Sequence, residues 1–294
     1  MDWHQWSTIV SIIIVTSRGL SRDDRLSFSD PLIMKMFFWA VIHNKPLYWA
    51  CDRKNYHGHF RPRALPSVSQ FCRRVNSPRF HRHLQLMHDV LIRRAKFSRL
   101  FFMDGKALPV SPVSGDPDAK VGRAGGVFAK GYKLHALMSV DRKIVGWSVT
   151  SLNIHEVRVA HHLVEQLPPV SDSRTLIVDG NYDSKHLHNQ SQERNTRLIT
   201  WPRGRAKDPS KRRRMGDARR TMIDAWEKSP EAMWKIYKQR DEIERGFGVL
   251  TCRHDLLGPL PAFVRRINRV RRWVGAKIIL YNARIGALQN AKAA

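Results

Sequence analysis

Apolar positions recur at helical spacing through the first hundred residues of the chain. Asp30 and Pro31 are typical of a helix start, with Asp30 as the capping residue. The apolar stripe that follows them consists of Leu32, Ile33, Met36, Phe37, Ala40 and Val41. The earlier run from Ile9 to Val15 is too short to span a bilayer and predicts a buried first helix or strand. We therefore expect an all-helical region here, with no membrane partner.

A second helical pair is predicted between residues 67 and 92. Ser67 can cap a short helix that runs to Val75, and Asn76-Ser77-Pro78 breaks the chain before a longer helix. Four arginines surround this junction: Arg73, Arg74, Arg79 and Arg82. The pair resembles a helix-turn-helix whose arginines contact phosphates. A helical hairpin with a solvated basic face is an equally good interpretation.

From Leu100 onward the pattern becomes that of strands. Residues 132–140 alternate with period two, Asp141-Arg142-Lys143 is a turn, and residues 144–152 return as an antiparallel strand. A helix ending at Pro168-Pro169 and a short buried strand at residues 175–178 follow. A further strand at residues 198–201 and a helix over 232–250 complete the series.

This order of elements predicts the α/β class, with a mixed sheet flanked by helices. Ribonuclease H-like folds have such an order, although other α/β sheets share parts of it. We expect residues 1–98 to form a helical DNA-binding region and residues 99–294 to form a ribonuclease H-like catalytic domain. A basic insertion is expected near residues 202–232.

The charge of the chain changes the picture, because it holds 52 Lys+Arg against 25 Asp+Glu. The formal net charge of +27 is spread along the chain and favours a nucleic acid as partner. Cys51, Cys72 and Cys252 are far apart and include no Cys-x-x-Cys pair. This spacing indicates neither a disulfide framework nor a zinc knuckle, and a reducing compartment is expected.

Three acids stand out against this basic background. Asp104 follows the apolar run at residues 100–103, Asp179 follows the one at 176–178, and Glu244 lies on the predicted helix. Two carboxylates at strand ends and a third from a helix can meet at the rim of a sheet, where their oxygens suit hard divalent cations. Tyr237 and Arg240 precede Glu244 by seven and four residues and share its helical face. The trio predicts a two-metal site that acts on phosphodiesters.

Each acid also has an ordinary structural interpretation. Asp104 and Asp179 can be turn or capping residues, and Glu244 can simply pair with Arg240 on the helix surface. Asp241 lies close enough to that face to rival Glu244 as the third acid, whereas Asp116 and Asp118 belong to a turn.

Basic side chains for DNA contact are expected in two places. The densest stretch lies between the second and third acids and comprises Arg203, Arg205, Lys207, Lys211, Arg212, Arg213 and Arg214. Near the end of the chain, Arg265, Arg269 and Arg272 are expected to share one face of a helix whose other face is packed.

Several blocks together resemble one family. Tyr237, Arg240 and Glu244 match the Tyr-x2-Arg-x3-Glu signature of DDE transposases from bacterial insertion sequences, the group with the YREK motif. The blocks at residues 131–135, 153–155 and 179–183 are similar to those around that family's catalytic strands, and the resemblance runs from about Leu26 to Ile285.

This resemblance implies a function. Asp104, Asp179 and Glu244 correspond to the DDE triad, which binds Mg²⁺ or Mn²⁺, while Tyr237, Arg240 and Lys133 contact DNA. The implied activity is cleavage at the terminal inverted repeats of an insertion sequence and joining of the ends to target DNA. The implied state is a homodimer on double-stranded DNA, in the cytoplasm beside the nucleoid.

The chain departs from the family signature at Thr251, where the signature has a lysine. Arg253 is near in sequence but would point about 200° away on a regular helix. Two alternatives to a transposase therefore stay open. One is another ribonuclease H-like endonuclease, and the other is a catalytically decayed protein that only binds DNA.

Overall fold

The computed structural model describes residues 3–21, 23, 26–58, 60–203, 208, 210, 215–252 and 256–293. The chain divides into two compact units. One contains residues 1–92 and 250–294, and the other contains residues 93–249.

The first unit is helical, as the apolar spacing predicts. Its helices are α1 (Trp3–Ser17), α2 (Asp30–Ile42), α3 (Val68–Val75), α4 (Pro78–Ile92) and the long C-terminal helix, here named α10 (Ile267–Ala293). Helix α10 packs on α1, α2 and α4. Its residues 272–283 are all buried, so the middle of this helix is packed on all sides. Ile9 and Ile13 are fully buried in α1, which confirms a buried first helix.

Local signals predicted the start of α3, and that of α2 to within one residue. Ser67 caps α3 in a reciprocal capping box with Gln70, as expected. Helix α2 is capped one residue earlier than predicted, because Ser29 is its N-cap and Asp30 lies in its first turn. Asp30 instead accepts ion pairs of 2.6 Å from both Arg74 and Arg79.

The second unit is built on a six-stranded sheet. Its strands are β1 (Leu100–Pro109), β2 (Lys120–Ala124), β3 (Val127–Ser139), β4 (Ile144–Ser151), β5 (Arg174–Val178) and β6 (Thr196–Ile199). Their order is β2-β3-β1-β5-β6, and β4 also pairs with β3. Pairs among β1 to β4 are antiparallel, whereas β5 is parallel to both β1 and β6. The predicted mixed sheet is thus present, with the additional strand β2.

Helices connect and flank these strands. They are α5 (Glu156–Glu165), α6 (Lys185–Glu193), α7 (Asp217–Lys228), α8 (Pro230–Tyr237) and α9 (Asp241–Cys252). The helix predicted over residues 232–250 is in fact interrupted, because a short 3-10 turn at Lys238–Arg240 separates α8 from α9. His155 caps α5.

None of the helices in the described part of the chain is long and apolar enough to cross a membrane.

Candidate functional site

Asp104 and Asp179 lie side by side on neighbouring parallel strands. The register of β1 and β5 ends with the pair Met103 and Val178, and the two aspartates are the next residues. Neighbouring strands are about 4.8 Å apart, so the two acids project from adjacent positions. Strand β1 does not end at Asp104 as expected, but continues to Pro109 against β3. The acid pair therefore forms where β5 ends beside the middle of β1.

Each aspartate accepts a hydrogen bond from the next backbone amide. Asp104 Oδ1 lies 2.8 Å from the nitrogen of Gly105, and Asp179 Oδ1 lies 2.6 Å from that of Gly180. Burial raises the pKa of Asp104 to about 6, and the negative charges of Glu156 and Asp179 act in the same direction. The Gly105 amide and the charge of Arg240 lower this pKa but do not outweigh the burial. Negative charge is therefore concentrated in a partly desolvated place, which a cation can relieve.

Arg240 connects the third acid to the first. Its Nη2 atom lies 2.8 Å from Glu244 Oε1, and its Nη1 atom lies 3.7 Å from Asp104 Oδ2. The guanidinium carbon is 5.9 Å from the centroid of the Tyr237 ring. The three residues of the predicted motif therefore meet beside Asp104, although the 3-10 turn interrupts their helix.

The two acids nearest Glu244 in sequence have other surroundings. Glu242 accepts a hydrogen bond of 2.8 Å from Arg142 and also pairs with Arg245. It therefore faces away from Arg240, as the helical spacing indicates. Asp241 is exposed in the first turn of α9. Asp116 accepts a 2.6 Å hydrogen bond from Tyr132 and supports a turn, as expected.

A further ion pair lies next to this site. Lys133 Nζ is 3.0 Å from Glu156 Oε1, and both side chains are mostly buried. A Cβ atom added to Gly105 would lie 3.0 Å from Glu156 Oε1 and 3.1 Å from Lys133 Cδ. The pair thus packs on the residue that follows Asp104. The predicted DNA contact Lys133 has a carboxylate partner here.

The sequence did not single out Glu156 or Tyr182, which both lie near the acids. Glu156 begins α5 directly after the block at residues 153–155, which was its one available signal. Tyr182 is fully buried, and within the described ranges its hydroxyl has no hydrogen-bond partner. Burial raises the pKa of Tyr182 well above its usual range, and the charges of Glu156, Asp104 and Asp179 act in the same direction. Its hydroxyl therefore lies within electrostatic range of all three acids.

The donor chemistry of the two aspartates fits a hard divalent cation, because both offer carboxylate oxygens in a site of excess negative charge. Among the described residues, however, no group of three His, Cys, Asp or Glu side chains is arranged to hold a metal ion. Glu244 is paired with Arg240 instead. The arrangement offers two ligands directly and a third that has an arginine partner.

Of the predicted basic stretch, only Arg203 lies within the described residues. Its backbone nitrogen donates 3.3 Å to Asp183, and its guanidinium donates to Asn181. Its Cγ would be 3.9 Å from a Cβ atom at Gly180, so Arg203 lies close to Asp179. The side chain is exposed. Outside the described residues are Arg205, Lys207, Lys211, Arg212, Arg213 and Arg214.

The three arginines expected on one helical face do not share such a face. Arg265 precedes α10, and its Nη1 atom donates to the carbonyl oxygens of Pro261 and Val264. Arg269 is exposed and donates 3.1 Å to Phe263. Arg272 is only 9% exposed. The helix begins too late and is packed on too many sides for a continuous basic face.

Comparison with known proteins gives a family and a fold. A family model described as a transposase DDE domain matches residues 95–283. The structure is also similar to that of a piggyBac transposase in a synaptic complex with hairpin DNA, with a TM-score of 0.50 and 11% sequence identity. That likeness covers 99% of this chain and 74% of the other, and at this identity it shows the fold alone. No curated protein sequence matches the chain.

Proposed function

Because the chain belongs to the transposase DDE domain family, we propose that it cuts DNA at the ends of an insertion sequence and joins those ends to a target. The observation that carries this proposal is the position of Asp104 and Asp179, which directly follow the last register pair of two adjacent parallel strands. The strand order β4-β3-β1-β5-β6, antiparallel in its first half and parallel in its second, supports a ribonuclease H-like catalytic domain.

Asp104 and Asp179 would hold the catalytic cations, Mg²⁺ or in its place Mn²⁺. Glu244 would be the third ligand and would give up its ion pair with Arg240 to bind the metal. When bound, two such ions activate the attacking oxygen and stabilise the leaving oxygen of a phosphodiester. The burial of Asp104 supports this assignment, because an anion at this depth is costly unless positive charge accompanies it.

The remaining site residues bind and orient the DNA. Arg240 has a planar guanidinium that suits a phosphate, and the ring of Tyr237 supports it from one side. Arg203, exposed and close to Asp179, would contact the phosphate backbone of the same DNA strand. Lys133 contributes by holding Glu156 against Gly105, which fixes the position of the preceding Asp104.

Exposed basic side chains outside the acid cluster are the further candidates for DNA contact. Residues 1–98 would serve as the DNA-binding region, with the exposed Arg73 and Arg82 as candidate phosphate contacts. Arg74 and Arg79 do not fit this role, because both pair with Asp30. A dimer is expected on terminal inverted repeats, since transposition brings two ends together, and the site of action would be the cytoplasm beside the nucleoid.

A non-catalytic DNA-binding protein is the second candidate. Two observations favour it: Thr251 stands where the family signature has lysine, and the Glu244 carboxylate is engaged by Arg240. The net charge of +27 would serve such a protein equally well.

Nicking of supercoiled DNA in Mg²⁺ or Mn²⁺ distinguishes the candidates. We expect the wild-type protein to nick DNA and, with pre-cut ends, to join them to a target. Asp104→Asn, Asp179→Asn and Glu244→Gln should each abolish nicking while retaining DNA binding. Glu242→Gln is the matched control on the same helix, because Glu242 pairs with Arg142 outside the site.

Three results would change the assignment. Nicking that survives Asp179→Asn contradicts the proposed site. Cleavage without joining indicates an endonuclease, and binding without nicking in either metal indicates the decayed protein.

A further inference from the structure

The helical unit contains an apolar pocket that none of the proposed catalytic residues lines. Its volume is about 350 Å³, within the range of small-molecule sites. Its lining includes Phe263, Val264 and Trp273 together with Tyr48 and Val68. The rings of Phe263 and Trp273 meet edge to face with their centroids 5.5 Å apart. These side chains give the pocket a rigid aromatic wall.

Arg272 lines this pocket and is 9% exposed. In the described parts of the chain, no carboxylate pairs with it and no hydrogen-bond acceptor takes its guanidinium hydrogens. Burial lowers the pKa of Arg272, and the neighbouring positive charge of Arg269 lowers it further. A partly desolvated guanidinium without a counterion gains more from a nearby anion than a fully hydrated one does, so the pocket favours an anionic ligand.

The charges around the pocket have one sign. Lys45 and Arg269 are exposed and also line it, whereas none of the described lining residues is Asp or Glu. The pocket therefore combines apolar walls with a cationic rim and a buried cation. Most of its surface suits a hydrocarbon or aromatic body, and only the arginine needs a polar partner.

We propose that this pocket binds a small organic anion with an apolar body, a carboxylate or sulfonate whose acid group pairs with Arg272 while its body lies against Phe263 and Trp273. This inference goes beyond the DNA chemistry of the acid cluster and is independent of it. It also assigns Arg272 a role other than the DNA contact expected from the sequence.

A phosphate of duplex DNA fits the pocket poorly. Each phosphate is flanked by two sugars, so it can approach an exposed side chain such as Arg269 far more easily than an arginine that is 9% exposed. A compact anion can enter without such neighbours. The chemistry of a buried cation within apolar walls thus favours a small ligand over a polymer.

The test uses the full chain and 8-anilinonaphthalene-1-sulfonate, a fluorescent aromatic anion, with neutral N-phenyl-1-naphthylamine as the uncharged probe. Wild type should bind the anion at one saturable site, and Arg272→Met should weaken that binding about tenfold or more. Arg271→Met removes the same charge from the neighbouring exposed position and should leave the affinity unchanged. The anion should also raise the melting temperature of wild type but not of Arg272→Met.

A second variant covers the case in which Arg272→Met does not fold. Val68 is 44% exposed at the first position of α3, so Val68→Asp should preserve folding. It should weaken binding of the anionic probe by charge repulsion and spare the neutral probe. Equal weakening for both probes would overturn the proposal.

Two further outcomes would also overturn it. The first is equal weakening by Arg271→Met and Arg272→Met, which would mean only general attraction to a basic surface. The second is displacement of the anion by a short DNA duplex with equal sensitivity to both substitutions, which would assign Arg272 to the DNA-binding surface.

Discussion

At the scale of single residues, the positions of charges follow from which partners they find in space. Asp104 and Asp179 each accept a hydrogen bond from the backbone amide of the next residue, and Asp104 also lies 3.7 Å from Arg240, which is far along the chain. Asp183, four residues after Asp179, has a fully buried side chain that Arg219 holds at 2.7 Å through both carboxylate oxygens. It anchors the segment that follows Asp179, whereas the acid cluster is available for chemistry.

Glu156→Gln should reduce the rate of DNA nicking about tenfold or more, because supporting partners of a metal site typically contribute by that factor. The substitution leaves Lys133 without its partner and loosens the contact on Gly105. Nicking rates at saturating DNA measure the effect. Glu165→Gln on the same helix, where the glutamate is exposed and lies 3.8 Å from His162, is the control and should retain full activity. Equal rates for both variants would show that Glu156 plays no part.

Asp183→Asn should lower the free energy of unfolding by about 3 kcal/mol, because it leaves Arg219 without its buried partner. Urea unfolding monitored by tryptophan fluorescence measures this change. Asp172→Asn breaks the exposed pair with Arg99 and should cost less than about 1 kcal/mol. A destabilisation at Asp183 no larger than this control would contradict a structural role.

The same carboxylate should make stability depend on acid pH. Burial alone would raise the pKa of Asp183, but the His188 ring nitrogen 3.3 Å from its Oδ1 and the hydrogen bonds from Arg219 outweigh it and lower the pKa to about 2. A folded-state pKa below the unfolded value of about 3.9 stabilises the fold above that value. The contribution is therefore lost as the pH falls from about 4 to about 2. Wild type should show this decrease in acid titrations of stability, and Asp183→Asn should show a smaller one.

At the scale of elements, strand pairing determines where the acids stand. Strand β1 is parallel to β5 and antiparallel to β3, so it links the strand of Asp179 to the hairpin that carries Lys133. Gly131 lies opposite Pro109 in this pairing. A Cβ atom there would overlap the carbonyl oxygen of Leu108, so the close approach of the two strands requires glycine.

Gly131→Ala should therefore destabilise the second unit by about 1–3 kcal/mol, the usual cost of inserting a methyl group into packed backbone. Thermal unfolding measures the change. Gly115→Ala is the matched control, because nothing lies within 4 Å of the added Cβ atom and its effect should be small. Equal melting temperatures for both variants would mean that the strands can separate without cost.

At the scale of the whole molecule, the positive charge is partly neutralised by internal pairs. Arg74, Arg79 and Arg219 are engaged by Asp30 and Asp183. Arg203 and Arg269 are exposed, and their guanidinium groups donate to an amide oxygen of Asn181 and to the backbone of Phe263. Neither acceptor carries a charge, so both cations keep an attraction for phosphate. The affinity for DNA should therefore depend on a subset of the 52 basic residues.

Arg203→Ala should reduce the slope of log affinity against log salt concentration by about 0.9, which is the contribution of a single neutralised phosphate. Binding of a duplex oligonucleotide across a range of salt concentrations measures it. Arg99→Ala, which removes an exposed arginine paired with Asp172, is the control and should leave the slope nearly unchanged. Equal slopes for Arg203→Ala and wild type would remove Arg203 from the DNA interface.

The sequence alone determined the types of elements and the chemistry available to them. Period-two alternation predicted the β3–β4 hairpin, and apolar runs located the two strands that carry Asp104 and Asp179. These signals are local, because each side chain's spacing along the chain reports which face of its own element is buried. The family match over residues 95–283 confirms the resemblance at the level of the DDE domain.

Only the tertiary structure decided which charges are paired and which elements are central. Periodicity marked Arg74 and Arg272 as surface cations, yet one pairs with Asp30 and the other is buried. It also gave one helix where α8, a 3-10 turn and α9 stand, and it did not reveal Glu156 beside Gly105. Such outcomes depend on partners that are far apart in sequence. An ion pair with a distant carboxylate does not change the local spacing of apolar and polar residues, so the spacing cannot reveal it.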